Sequence, residues 1–238
     1  IGAWGEHCAK AGLISIHHVN AVGHVGNAAP YRGSDARFTT NPYCCTIPRA
    51  RESEPMVLDM ATTVMAHGKV RVARNKGEQL PEGVLLDGQG QPTTDPNSLF
   101  SEPSGALRPV GAYKGYGLAL ANELLAGILS GGGTCRPETD HNNDTILNNM
   151  FSVILDPDRF SGADFFKSEL DLTVEHVTSS PPMDPSEPVL IPGDPERANA
   201  CRRKAEGIPI DENSWELVLN SAESVGLTIN QITGLAHI

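Results

Sequence analysis

Short apolar segments alternate with longer amphipathic segments along this chain, and turns rich in glycine and proline separate them. We predict strands at residues 13–19, 43–47, 55–60, 151–155 and 189–191. We predict helices at residues 4–11, 61–68, 117–130, 162–177, 195–205 and 215–225, and a loop at residues 141–149. Because strands alternate with helices, the sequence predicts an α/β fold.

Charge and composition narrow the possible partners. The 238 residues carry 18 Lys and Arg against 29 Asp and Glu, a formal net charge of −11, which argues against binding to nucleic acid. No segment has the roughly 18 uncharged apolar residues that a membrane-spanning helix needs, so we expect no membrane partner. The five cysteines show no CxxC spacing, which indicates neither a zinc ribbon nor a disulfide framework. We therefore expect a reducing, cytoplasmic setting.

Several familiar sequence motifs are missing from this chain. It has no G-x-S-x-G of serine hydrolases, no G-K-[ST] of nucleotide hydrolases and no Rossmann G-x-G-x-x-G. His17, His18 and His24 lie close together in sequence, but neighbouring residues of a strand point to opposite faces. We therefore expect no metal site.

Three turns remain as candidate ligand sites: Asp59-Met60-Ala61, the glycine-flanked Lys114, and Pro192-Gly193-Asp194. The first and third join a predicted strand to a helix, where unpaired N–H groups can bind a nucleotide oxygen. Glycines next to Lys114 allow a ligand to approach the backbone closely. The alternatives are an N-cap role for Asp59 and a solvated side chain for Lys114.

In this order, the motifs of the chain resemble those of the malate/L-lactate dehydrogenase-like oxidoreductases. That family includes ureidoglycolate dehydrogenase and 2,3-diketogulonate reductase. The resemblance extends over nearly the whole chain and is carried by HVN at 18–20, GSDARF at 33–38, TNP at 40–42, DMA at 59–61, KGEQLPEG at 76–83, TTDP at 93–96, KGYGL at 114–118 and PGDPE at 192–196.

The resemblance implies hydride transfer between NAD(P)H and a 2-oxo acid, to give a 2-hydroxy acid. It also implies a homodimer and a non-Rossmann NAD(P)-binding fold, with a mixed or antiparallel sheet flanked by helices. By position, the residues implied to bind the cofactor are Asp59, Met60, Ala61, Lys114, Pro192, Gly193 and Asp194.

Thr40 and Asn41 match an element near the active site of the family. Thr39 stands where many relatives have glycine, and Tyr31-Arg32 replaces the usual Phe-Gly. These departures leave the acid unidentified and make Arg32 a candidate contact for a substrate carboxylate. The sequence does not distinguish NAD from NADP.

The catalytic histidine of the family, and its arginine that binds the substrate carboxylate, match segments that would precede Ile1. We therefore expect no catalytic residue in this chain and little activity from it alone. Residues 1–200 are expected to form the cofactor domain, and residues 201–238 a helical tail that packs on an N-terminal domain. Two alternatives stay open: a non-catalytic nucleotide-binding module, and a cyclic imine reductase on the same scaffold.

Overall fold

The structure, a computed structural model, describes residues 1–49, 54–139 and 145–236. Its main elements in chain order are α1 (Gly2–Lys10), β1 (Ile14–Val22), β2 (Tyr43–Ile47), β3 (Met56–Met60), α2 (His67–Lys76), β4 (Leu85–Leu86), β5 (Pro92–Thr93), β6 (Ala106–Leu107), α3 (Tyr113–Asn122), a π-helical segment (Glu123–Leu129), β7 (Leu147–Leu155), α4 (Ala163–Thr178), α5 (Asp194–Glu206), α6 (Glu212–Ser224) and α7 (Ile229–Ala236). None of the helices within these ranges is both long and apolar enough to cross a bilayer.

Two antiparallel sheets organise the chain. The main sheet has the strand order β3-β2-β1-β7, and the small sheet has the order β5-β4-β6. Helix α1 covers one face of the main sheet, where Gly5 lies so close that an added Cβ would be 2.0 Å from the Thr46 hydroxyl. Helix α3 covers the other face, where the Oδ1 atom of Asn122 is 2.7 Å from Nδ1 of His18. The expected fold class, with antiparallel sheets flanked by helices, is confirmed.

The principal apolar core lies around the small sheet. It buries seven residues from α2, the strands and the adjoining loops: Ala28, Val70, Leu80, Val84, Leu85, Leu99 and Leu107. Phe38 and Phe100 pack against this cluster at its border. The core fixes the small sheet and α2 next to the main sheet, and so sets the position of the loops between them.

The predicted helix at residues 61–68 is wrong. After β3 the chain forms an irregular segment in which Thr62 donates its N–H and its hydroxyl to the carbonyl of Thr40, at 3.0 and 2.9 Å. The hydroxyl of Thr63 donates to the carbonyl of Met65. The bonds from Thr62 to the distant Thr40 and the local bond from Thr63 to Met65 compete with helix formation, so α2 begins only at His67.

Several other boundaries also differ from the predictions. Helix α3 begins at Tyr113, not at residue 117, so Lys114 lies inside its first turn. Strand β7 begins at Leu147 because it pairs with the end of β1, whereas a loop is predicted to residue 149; residues 141–144 of that loop lie outside the described ranges. The predicted strand at residues 189–191 is not formed, although its neighbour Pro192 accepts one hydrogen bond from β3.

The C-terminal helices are attached to α2. Asn75 of α2 donates from Nδ2 to the hydroxyl of Ser214 at 3.0 Å, and Asn213 donates to the carbonyl of Asn75 at 2.5 Å. The predicted division after residue 200 falls inside α5, which is a continuous helix. Packing of the tail on a further segment stays a prediction.

Candidate cofactor and substrate site

The outer edge of β3 presents backbone groups away from the rest of the main sheet. The N–H of Val57 donates to the carbonyl of Pro192 at 3.0 Å, so it points away from β2. Backbone groups alternate in direction along an antiparallel strand, so the N–H groups of Asp59 and Ala61 face the same outer edge. Met60 lies between them, half-buried, and pairs with Tyr43 of β2. The edge therefore offers two successive hydrogen-bond donors to a ligand.

The turn formed by Pro192, Gly193 and Asp194 docks at the beginning of β3. Gly193 has a φ of +100°, and the Arg197 guanidinium packs against it and donates to the carbonyl of Pro55 at 3.0 Å. The same guanidinium donates to Oδ1 of Asp194 at 2.6 Å. Desolvation raises the pKa of Asp194, but its hydrogen bonds, that from Arg197 foremost, outweigh this and hold the pKa below its usual value. Asp194 is therefore ionised at neutral pH and forms an ion pair with Arg197.

The first turn of α3 lies against the other end of this segment. Val110 donates its N–H to the carbonyl of Thr62 at 2.9 Å, just before the helix begins. A Cβ on Gly115 would lie 2.6 Å from the same Thr62 carbonyl, so only glycine fits here. Lys114, the preceding residue, has an exposed side chain. The ammonium group of Lys114 is therefore accessible to a ligand near the end of the β3 edge.

Thr40 and Asn41 lie beside the same end. The Thr40 carbonyl accepts both hydrogen bonds from Thr62. Asn41 is buried and has a φ of +28°, an uncommon conformation for a residue other than glycine. The hydroxyl of Thr39 donates to Oδ1 of Asn41 at 2.7 Å, so Thr39, which replaces glycine, helps to hold this conformation.

The buried side chain of Glu123 holds the Thr40–Asn41 segment in place. It is 4% exposed, and its Oε2 atom accepts a hydrogen bond from Nδ2 of Asn41 at 2.6 Å. Its Oε1 atom accepts from Nδ2 of Asn20 at 3.2 Å and from the N–H of Cys135. Asn122 adds a bond to the carbonyl of Asn41 at 2.7 Å. Sequence reasoning missed this network, although two adjacent polar residues inside a predicted apolar helix were a signal for it.

The side chain of Asp59 has a separate, structural contact. Its Oδ2 atom accepts the N–H of Gly2 at 2.7 Å, at the N-terminus of α1. A carboxylate is favoured there because the first N–H groups of a helix are unpaired and carry partial positive charge. Asp59 therefore caps α1, which packs across the sheet, and not the segment that follows β3.

His17 and His18 point to opposite faces of the main sheet. His17 is 2% exposed and lies between the hydroxyls of Ser152 and Ser15, at 2.7 and 3.1 Å from its two ring nitrogens. Desolvation by burial is the main cause that lowers the pKa of His17. Within residues 1–49, 54–139 and 145–236, no group of three or more His, Cys, Asp and Glu side chains is arranged to hold a metal ion.

The structure thus arranges the predicted site residues along one edge. Asp59, Met60 and Ala61 form its middle, the Pro192 turn lies at one end, and Lys114 lies with Thr40 and Asn41 at the other. From Val57 to Thr62 the chain advances five residues, about 16 Å in extended conformation. The Pro192 turn and Lys114 therefore flank the edge from opposite ends.

Comparisons with known proteins agree with this architecture. Residues 1–218 match the profile of the family described as malate/L-lactate dehydrogenase. The chain is 42% identical over 228 residues to hydroxycarboxylate dehydrogenase B of Escherichia coli (strain K12), which covers 95% of this chain and 62% of the relative. It is 44% identical over 127 residues, 53% of this chain and 36% of the relative, to a Δ1-pyrroline-2-carboxylate/Δ1-piperideine-2-carboxylate reductase of Pseudomonas putida.

A solved structure gives the same result. The structure named as a malate/lactate dehydrogenase from E. coli superposes with a TM-score of 0.90 at 40% sequence identity. The superposition covers 98% of this chain and 64% of that protein, so the chain spans less than two thirds of the relatives' length. The profile match and the shared fold show that this chain belongs to the malate/L-lactate dehydrogenase family.

Proposed function

We propose that this chain binds a nicotinamide cofactor, NAD or NADP, as part of a dehydrogenase that interconverts a 2-oxo acid and a 2-hydroxy acid. Membership of the family and the similarity to a hydroxycarboxylate dehydrogenase support the reaction class. When bound, the nicotinamide ring supplies or accepts the hydride. The chain matches 62% of the length of hydroxycarboxylate dehydrogenase B. The reaction is therefore proposed for the whole enzyme, and cofactor binding is proposed for this chain.

The outer edge of β3 is the observation that carries the proposal. The outward N–H groups of Asp59 and Ala61 are placed to donate to ribose or phosphate oxygens. Lys114, exposed at the start of α3, supplies a positive charge for a phosphate at one end. At the other end, the turn at Gly193 brings its backbone close to the edge. The carboxylate of Asp194 accepts from Arg197 and from the N–H of Ile191, and its remaining lone pairs are proposed to accept from a cofactor hydroxyl.

The substrate is proposed to lie at the Lys114 end of the edge. Thr40 is held there by Thr62, and Asn41 by the buried Glu123. The two residues are proposed to form one fixed side of the pocket for a small acid. We propose that residues outside this chain transfer the proton and make the main contact with the substrate carboxylate. We further propose that the enzyme is a homodimer and that it is located in the cytoplasm. Sedimentation analysis of the enzyme tests the oligomeric state.

Removal of one backbone donor tests the cofactor site. In Ala61→Pro the N–H is lost, and the fold should be kept because this N–H faces away from β2. Loss of one hydrogen bond to a charged phosphate costs about 1.5 kcal/mol, so NADH affinity measured by titration calorimetry should fall about tenfold.

The matched control is Ala61→Ser, which keeps the N–H and should bind NADH as the unchanged chain does. If the proline variant also binds like the unchanged chain, the cofactor does not use this edge. If the unchanged chain binds neither NADH nor NADPH, the proposed function itself is wrong.

Cyclic imine reduction is the second candidate function, because the similarity to the P. putida reductase is a specific observation in its favour. A competition assay with pyruvate and a cyclic imino acid, followed by NADPH oxidation in the full-length enzyme, separates the two. Preference for pyruvate supports the dehydrogenase, and preference for the imine supports the reductase. Nucleotide binding without turnover of either compound would leave a non-catalytic module.

A further inference from the structure

A cavity of about 560 Å³ is lined by residues that follow β3 and by residues that lead into α3. Val64, two residues after Thr62, lines it and donates its N–H to the carbonyl of Arg108 at 2.9 Å. Gly111 and Ala112, which lead into α3, line the opposite side. The cavity is therefore lined by the segments that directly follow Thr62 and directly precede Lys114, two residues next to the proposed site.

The lining of this cavity is cationic. Among the described residues that line it, Arg32 and Arg108 carry charge and none is an aspartate or glutamate, in a chain whose net charge is −11. Among the described residues, neither arginine belongs to an ion pair. The stem of Lys114 lies against Gly111 at the rim, so a third cation adjoins the same space. The local electrostatic potential therefore favours an anion here.

The backbone of Arg32 is held in a conformation that suits glycine. Its φ is +69°, in the left-handed region where a side chain is unfavourable. The guanidinium carbon of Arg32 lies 5.2 Å from the centroid of the Tyr31 ring, and that ring meets Tyr113 edge to face at 6.3 Å. The chain thus keeps an arginine at a strained position and supports it with an aromatic pair. Such strain persists where the side chain has a function.

We propose that Arg32 and Arg108 form an oxyanion-binding subsite at the Lys114 end of the β3 edge. The guanidinium group binds two oxygens of a phosphate or carboxylate at once, which gives it an advantage over a single ammonium. Two ligands of the proposed function carry such a group: the 2′-phosphate of NADPH, and the second carboxylate of a dicarboxylic 2-oxo acid. The subsite therefore rests on the proposed function and sets its specificity.

The substitution Arg32→Gly removes the cation and relieves the backbone, so the variant should fold at least as well as the unchanged chain. The control Arg37→Gln changes the net charge equally, at an exposed arginine already paired with Asp35. Titration calorimetry at fixed low ionic strength measures three probes on each protein: inorganic phosphate, NADH and NADPH. We expect Arg32→Gly to weaken phosphate binding about tenfold and Arg37→Gln to leave it unchanged.

The nucleotide arms identify the source of the oxyanion. A loss of NADPH affinity without loss of NADH affinity assigns the subsite to the 2′-phosphate. Weaker phosphate binding with an unchanged NADPH to NADH ratio assigns it to the substrate, and oxaloacetate should then bind more weakly than before while pyruvate does not.

The subsite is overturned if the unchanged chain does not bind phosphate, or if Arg32→Gly and Arg37→Gln behave alike. If the unchanged chain binds neither NADH nor NADPH, only the proposed function is refuted. The titration with inorganic phosphate tests the subsite separately.

Discussion

The two sheets of this chain are built on different interiors. Around the small sheet, the buried residues are almost all aliphatic, with Val70, Leu85 and Leu107 completely enclosed. In the main sheet and the elements that cover it, many buried side chains are polar: Ser15, His17, Asn20, Asn41, Thr46, Asn122 and Glu123. The aliphatic interior around the small sheet stabilises the fold by burying apolar surface, and this effect depends little on the orientation of the side chains.

The polar interior depends on direction because each buried donor or acceptor needs its own partner. Glu123 supplies acceptors to side chains from β1 and from the Thr40–Asn41 element, and so fixes their relative positions. The proposed site lies on the main sheet, next to this polar interior. We infer from this difference that the apolar core around the small sheet mainly stabilises the fold, whereas the polar interior of the main sheet mainly sets the geometry of the proposed site.

Leu107→Ala should have the largest effect on stability. The side chain is 0% exposed in the apolar core, and a leucine-to-alanine change at such a place costs about 3–4 kcal/mol. Urea denaturation measures the loss in the free energy of unfolding. The control Leu190→Ala, at a residue that is 51% exposed, should cost much less. Equal losses in the two variants would break the description of this region as the apolar core.

Glu123→Ala should cost about 2 kcal/mol, since it leaves buried donors of Asn20 and Asn41 without their acceptor. Asn41→Ala gives the second arm of a double-mutant cycle. We expect the two losses to be non-additive, because the residues share one hydrogen bond. Additive losses would mean that the network does not act as a unit.

Asp59→Ala should cost about 1 kcal/mol through loss of the cap on α1. The matched control is Asp35→Ala, whose carboxylate forms an exposed ion pair with Arg37 and should contribute almost nothing. Thermal unfolding of the two variants checks the difference. A result in which both variants melt like the unchanged chain would remove the capping role.

The smallest effect concerns pH. Burial lowers the pKa of His17, so the unfolded chain takes up this proton near pH 6.5 before the folded chain does. The contribution of His17 is therefore complete above about pH 6.5 and is lost as the pH falls below it. His17→Gln should flatten the dependence of the unfolding free energy on pH between pH 7 and 5, as measured by urea denaturation at each pH.

The sequence predicts those elements that depend on local pattern. Strand β2 has the predicted bounds, and α4 differs from its prediction by one residue at each end, since alternation and amphipathic periodicity decide both. The candidate turn Asp59-Met60-Ala61 also lies at the end of a strand, as predicted, but no helix follows it directly. Its outward N–H groups follow from pairing with β2, which no local pattern encodes.

Long-range contacts account for several of the differences between the predictions and the structure. The predicted helix begins at residue 117, yet α3 begins at Tyr113, and its Gly115 lies so close to the Thr62 carbonyl that only glycine fits. Asn149 reads as a loop residue, yet it belongs to β7 and donates to Asn20 across the sheet. The Glu123 network joins residues more than 80 positions apart, so it is visible only after folding.

The central claim is that a nicotinamide cofactor lies along the outer edge of β3. Titration of NADH into the isotope-labelled chain, followed by amide resonances, tests it most directly. We predict that the N–H signals of Asp59 and Ala61 shift with NADH, while that of Leu58, which faces β2, shifts much less. Saturable NADH binding that leaves the signals of Asp59 and Ala61 in place would contradict the claim.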